Sequence, residues 1–194
     1  ARSAKHQAML RDPDLESIGR ILLVKRHPYL SSHNYSDVLD SQFRPGGGVF
    51  ALEIPRREGR LDPEAGKLTM LADATDGIAR DAVADFDARK IYYAYRPDKS
   101  PVAEWTPYWH LMVVDASGGA SRQLTDGPFH DYYPCPLPDG GMAFISTRAN
   151  ARFLCWRPQA FMLYRMDADG TGIRPLSFAN LSEWTPAPMR DGRI

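Results

Sequence analysis

This sequence lacks net charge, long apolar runs and any cysteine motif. Across 194 residues, 24 Lys and Arg balance 24 Asp and Glu, so the formal net charge is zero. A nucleic-acid binder draws its affinity from a basic footprint on the phosphates, and a balanced chain supplies none. No run of about 18 apolar residues occurs, so no spanning helix is expected. The N-terminal Ala1-Arg-Ser-Ala-Lys-His6 lacks the apolar core of a signal peptide. The two cysteines, Cys135 and Cys155, fit no zinc spacing, no Cys-x-x-Cys motif and no Cys-x-x-Cys-His attachment site for c-type haem. We therefore expect no metal and no cofactor bound by this chain.

The 16 Pro and 15 Gly are spread along the chain, as turns between short strands require. They also punctuate a repeat. Lys90-Ile-Tyr-Tyr-Ala-Tyr-Arg96 resembles Gly141-Met-Ala-Phe-Ile-Ser-Thr147, a step of 51 from Ile91 to Met142. Val113-Val-Asp-Ala-Ser-Gly-Gly119 returns as Arg165-Met-Asp-Ala-Asp-Gly-Thr171, with Asp115 to Asp167 a step of 52. Arg122-Gln-Leu-Thr125 returns as Arg174-Pro-Leu-Ser177, and Pro138-Asp-Gly-Gly-Met142 as Arg190-Asp-Gly-Arg-Ile194, both 52 apart. A looser copy precedes these, in the segments 21–26, 49–53 and 68–73.

Four-stranded antiparallel units at such a period are blades of a β-propeller, because a small twisted sheet covers both its faces only by stacking on neighbours. The reading is an all-β partial propeller of about three four-stranded blades. Its units fall at about 21–77, 78–127 and 128–180, with a further unit starting over 181–194. Residues 1–20 form a lead-in with a short helix from Ser3 to Met9. The period stops inside a unit, so we expect a piece of a larger propeller. The Asp139-Gly140 pair predicts a two-residue hairpin turn, both residues tolerating positive φ.

In such a meander the tight turns share one end and the long B–C and D–A connections the other. His27, His33, Trp105, Trp109, His110, His130 and Trp156 all belong to the second end, where function usually sits. His27, His33 and Trp105, Trp109, Trp156 are candidates for a binding face. His110, His130, Asp131 and Arg148 are the candidates for catalysis, His130-Asp131 as an acid–base pair. The competing reading of that pair is a corner whose buried polar groups satisfy one another. A metal held by His27, His33 and His110 is the less favoured reading of three loop histidines. Cys135 and Cys155 leave two alternatives open, a disulfide closing the B–C loop or two buried thiols. Asp167-Ala-Asp-Gly-Thr-Gly172 lacks the ligands of a calcium loop and reads as a turn. Pro45-Gly-Gly-Gly48 has no helix behind it to make a phosphate cradle.

Pro138-Asp-Gly140, Ile145-Ser-Thr-Arg148, Met166-Asp-Ala-Asp-Gly170 and Gln123-Leu-Thr125 resemble the repeats of TolB-type propellers. Leu23-Val-Lys-Arg-His27, Arg44-Pro-Gly-Gly-Gly48, the run from Asp126 to Cys135 and Glu183-Trp184 are similar to the N-terminal propeller of hydrazine synthase alpha subunit-like proteins. The second resemblance implies a periplasmic or secreted, multi-subunit parent whose haems belong to domains downstream of the propeller. The expected function is a non-catalytic scaffold and docking surface for proteins or ligands. Its partners would be the remaining blades, downstream domains and other subunits. The alternative is part of a propeller enzyme: a hydrolase, a lyase, or a haem-dependent hydrazine synthase.

Overall fold

A computed structural model of the chain describes residues 2–29, 43–98, 107–152, 159–179 and 181–194. Among the described residues, a helix, α1 (Arg2–Met9), and a 3-10 turn at Pro13–Leu15 precede thirteen strands. The first sheet joins β1 (Arg20–Arg26), β2 (Gly47–Glu53) and β5 (Lys67–Asp73); a hairpin of β3 (Arg56–Arg57) and β4 (Arg60–Leu61) stands between the last two. The second sheet is β6 (Gly77–Ala84), β7 (Lys90–Pro97), β8 (His110–Asp115) and β9 (Arg122–Gln123). The third is β10 (Asp131–Pro136), β11 (Met142–Ser146), β12 (Met162–Met166) and β13 (Arg174–Pro175). Both are antiparallel meanders in chain order. These are successive β-propeller blades. The first differs from the four strands expected: among the described residues it contains three strands, β1, β2 and β5, in the places of B, C and D.

The reason for the stacking is visible in β7. Its side chains alternate, and both sets are hidden. Ile91 and Tyr93 pack with Val49, Ala51 and Leu71 of the first sheet. Tyr92 and Ala94 pack with Tyr132, Met142 and Phe144 of the third. A strand buried on both faces reads as a nearly continuous apolar run, as Ile91 to Tyr95 does.

The tight turns are built differently from the two-residue loop expected. Only Gly140 of the Asp139-Gly140 pair has a positive φ, 83°. Gly140 N–H donates to Leu137 O and Leu137 N–H to Gly141 O, which closes a three-residue loop with glycine in the left-handed position. Gly170, φ 96°, ends the matching loop between Asp167 and Thr171. The aspartate before each glycine accepts a backbone N–H two residues on: Asp139 from Gly141, Asp169 from Thr171 and Asp191 from Arg193. That local bond explains why Asp-Gly recurs. A methyl group at Gly170 would strike the Leu124 carbonyl of the second sheet, so this turn also seats one blade on the next.

One feature of the innermost strands carries no sequence signature. Asp81, Tyr133 and Thr185 all have positive φ, at 55°, 48° and 45°, and lie 52 residues apart. In β6 and β10 this residue sits in a β-bulge, between Arg80 and Val83 and between Tyr132 and Cys135. The bulges therefore keep the repeat although their residue types differ.

Two outcomes follow from the turns. Gly170→Ala is expected to cost about 1–3 kcal/mol in urea denaturation, from left-handed strain alone before the clash is counted. Hydrogen bonds also hold three turn carboxyls below their ordinary value: Asp139 by Gly141 N–H and Arg165, Asp169 by Thr171, and Asp191 by Arg193. A depressed carboxyl stabilises the fold above its unfolded value and loses that contribution as pH falls through the folded one. Stability measured below about pH 4 should therefore drop, and less so in Asp139→Asn/Asp169→Asn.

Candidate functional site

The corner between the second and third blades gathers the four catalytic candidates, His110, His130, Asp131 and Arg148. The chain leaves β9 through Leu124 and Thr125 and enters β10 at Asp131, whose partner in the register is Ser146 on β11. Asp131 is fully buried. Its Oδ1 accepts from Ser146 Oγ at 2.6 Å and its Oδ2 from Arg148 Nη2 at 2.9 Å. The same Arg148 nitrogen donates to Asp126 O at 2.9 Å, and the guanidinium lies 4.7 Å from the centre of the Phe129 ring. His110 Nδ1 stands 3.8 Å from Asp131 Oδ2, beyond hydrogen-bond reach, and has no hydrogen-bond partner among the described residues.

His130 belongs to the frame of this corner. Its ring is buried, stacks on Tyr132 with centroids 5.9 Å apart and meets Tyr108 edge-on at 5.1 Å. Its Nδ1 accepts from Trp109 N–H, and its own N–H donates to Thr147 Oγ1. Trp109, placed on the binding face by its loop position, is fully buried and packs against Tyr132 at 5.6 Å. It fills the space between blades. His27 follows β1 and is half-buried, with its ring beside Gly46. His33, Trp105, Cys155 and Trp156 lie outside the described residues, and so does the Cys135–Cys155 pairing. Cys135 itself is the fifth residue of β10, opposite Ala143 and near the tight turn. Its thiol is buried with Leu137 and Ala143, and burial pushes its pKa up.

The corner recurs one period later. Asp131 N–H donates to Trp109 O at 3.0 Å, and Glu183 N–H to Phe161 O at 2.8 Å. Leu111 N–H donates to Thr125 Oγ1, and Leu163 N–H to Ser177 Oγ, both at 3.0 Å. Trp109 N–H meets His130 Nδ1, and Phe161 N–H meets Ser182 Oγ. Glu183 takes the place of Asp131 and accepts from Ser177 Oγ and Leu163 N–H. A reactive centre does not need to be copied, whereas a corner that must satisfy buried polar groups does. Chemically the geometry fits that role. Ser146 Oγ–H donates a hydrogen bond directly to a buried carboxylate with no imidazole between them, and the Arg148 cation pairs with that carboxylate.

A second polar cluster went unseen in the sequence. Arg80, buried on β6, donates from Nε to Asp81 Oδ2 at 2.8 Å and from Nη2 to Tyr133 OH at 3.0 Å. Its guanidinium lies 5.2 Å from the centres of the Tyr132 and Tyr133 rings and 5.6 Å from Trp109. Burial works against its charge, but Asp81 and the surrounding phenols outweigh it and push the pKa up. For Asp81, burial outweighs Arg80 and raises the carboxyl pKa. Tyr132 is likewise pushed well up by burial. An arginine inside a strand reads as outward-facing unless its bulge and aromatic surroundings are known.

Among the described residues, no three His, Cys, Asp or Glu are gathered as a metal site, and no helix is long and apolar enough to cross a membrane. Four-stranded meander blades, packed face to face through apolar residues and tied by a repeated corner, define a protein of the β-propeller class. Among solved structures, one assigned as TolB from Agrobacterium tumefaciens is similar, at 21% identity and a TM-score of 0.48. The match covers 68% of this chain and 41% of the other, so the chain spans about two fifths of that protein. No family model and no curated protein matches the sequence.

The corner predicts its own energetics. Asp131→Ala leaves Arg148 as a nearly buried cation without its counter-charge and should cost about 3–5 kcal/mol. Ser146→Ala removes one neutral donor to that carboxylate and should cost about 1.5–3 kcal/mol. Because both act on one network, a urea double-mutant cycle should return clear non-additivity.

Proposed function

We propose that this chain is a propeller segment that serves as scaffold and docking platform in a larger protein, and catalyses nothing itself. The supporting observation is the corner. Asp131 is held by Ser146 and Arg148, and His130 by Trp109 N–H and Thr147. The backbone bond of Asp131, the cap of Thr125 and the contact of His130 recur one period later at Glu183, Ser177 and Ser182. Residues spent on joining blades are not poised to turn over a substrate.

On the resemblance set out above, the parent is a hydrazine synthase alpha subunit-like protein, periplasmic or secreted, with its haems carried downstream. The partners are then the remaining blades, the downstream domains and other subunits. The docking surface is the end carrying the long connections 27–46, 98–109 and 147–161.

A catalytic propeller has one observation in its favour. His110 Nδ1 is unpartnered among the described residues and points at a buried carboxylate from a distance of 3.8 Å. His110→Gln in the full-length parent separates the readings. On the scaffold reading, hydrazine formation from nitric oxide and ammonium, assayed at equal haem content, stays within about twofold of the original, because the substitution removes no group that touches a reacting atom. A loss of roughly a hundredfold or more, with the fold intact by circular dichroism, would place His110 at a reacting centre and overturn the scaffold reading.

A further inference from the structure

Between the first and second blades, away from the corner, lies a half-open cavity of about 170 Å³ lined by Leu22, Ala51, Leu71, Ala84, Ile91 and Ala116. Its walls are mostly apolar, and the half-exposed Arg20 side chain is part of the lining. Dry apolar cavities of this class, about 150 Å³, take up benzene-sized molecules.

The next blade interface shows what shape the space fits. Leu22 pairs with Ala51 across β1 and β2, and Tyr92 pairs with Val113 across β7 and β8, at the same step of the blade. Gly118 sits on Leu71 as Gly170 sits on Leu124, which makes those two leucines equivalent as well. Between the second and third blades Tyr92, Val113 and Leu124 are buried against Met142. Leu22 and Ala51 are the smaller residues at the first interface. At this step the first interface therefore has a leucine and an alanine where the second has a tyrosine and a valine, and the void lies beside the smaller pair.

The lining also supplies a charge. Arg20 Nη2 donates to Ala116 O at 2.9 Å and so bridges the two blades. Its Nε is 4.0 Å from Glu53 Oε1, outside hydrogen-bond reach. The Arg20 side chain is about half exposed and lines the same cavity, and a guanidinium fork beside an apolar well is suited to a carboxylate on a ring.

We propose that this cavity binds one aromatic ring carrying a carboxylate, of the size of benzoate, with the ring in the place Tyr92 takes at the neighbouring interface and the carboxylate on Arg20. Titration of the whole chain with benzoate and with benzyl alcohol, followed by saturation-transfer NMR, tests it. Benzoate should bind, and benzyl alcohol about tenfold more weakly for want of the charge-assisted bond. Arg20→Met should bring benzoate down to the level of the alcohol. Leu22→Tyr should abolish binding of both by filling the well with its own ring. Ala51→Val, a smaller change, should weaken both, so the test survives if the tyrosine variant misfolds. No saturation transfer at millimolar benzoate, equal affinity for the two probes, or undiminished binding in both cavity-filling variants would each overturn the proposal.

Discussion

A sheet four strands wide, with strands of two to eight residues, has two faces and cannot bury either by itself. Everything else in this molecule answers to that constraint. The second blade shows it most clearly: Ile91 and Tyr93 hide on the first blade, Tyr92 and Ala94 on the third. Hydrophobic burial drives the stacking, but it is non-directional and would tolerate sliding. Directional bonds must set where each sheet sits. The turn glycines do part of this, Gly118 against Leu71 and Gly170 against Leu124. The corner does the rest, pinning β8, the β9–β10 connection and β11 through Thr125, His130, Asp131 and Arg148.

This division of labour accounts for how the polar residues are used. Asp131 and Arg148 form a pair that would be costly to bury unless both partners were held in place. Here the register fixes one and the turn after β11 fixes the other. Arg80 and Asp81 make a comparable pair at the bulge of β6, roofed by three aromatic rings. At the first interface the same blade geometry is met with smaller residues, Leu22 and Ala51, and a cavity remains.

The blade period was legible in the sequence because its markers are local. Asp-Gly reports a turn whose aspartate bonds its own backbone, and Leu-Thr or Leu-Ser reports a hydroxyl that accepts from the next strand in. Such bonds depend on a few adjacent residues and survive as motifs. The bulges do not. Asp81, Tyr133 and Thr185 share a backbone conformation and little chemistry, so the conformation is imposed by the surrounding sheet rather than by the residue. Trp109 and His130 were legible as aromatics near a connection, but their burial was not, since strand ends and loops look alike until neighbouring blades close over them. Arg80 was hidden for a related reason: its charge is acceptable in the interior only because Asp81 and Tyr133, from two different strands, arrive beside it.

The central claim is that neighbouring blades hold one another in place, and hydrogen exchange measures it directly. Met142→Ala, deep in the third blade against Tyr92 and Val113 of the second, should lower amide protection in β7 and β8 along with that in β11 and β12, because the face it supports belongs to both sheets. Protection lost in β11 and β12 alone, with β7 and β8 exchanging as before, would contradict the account.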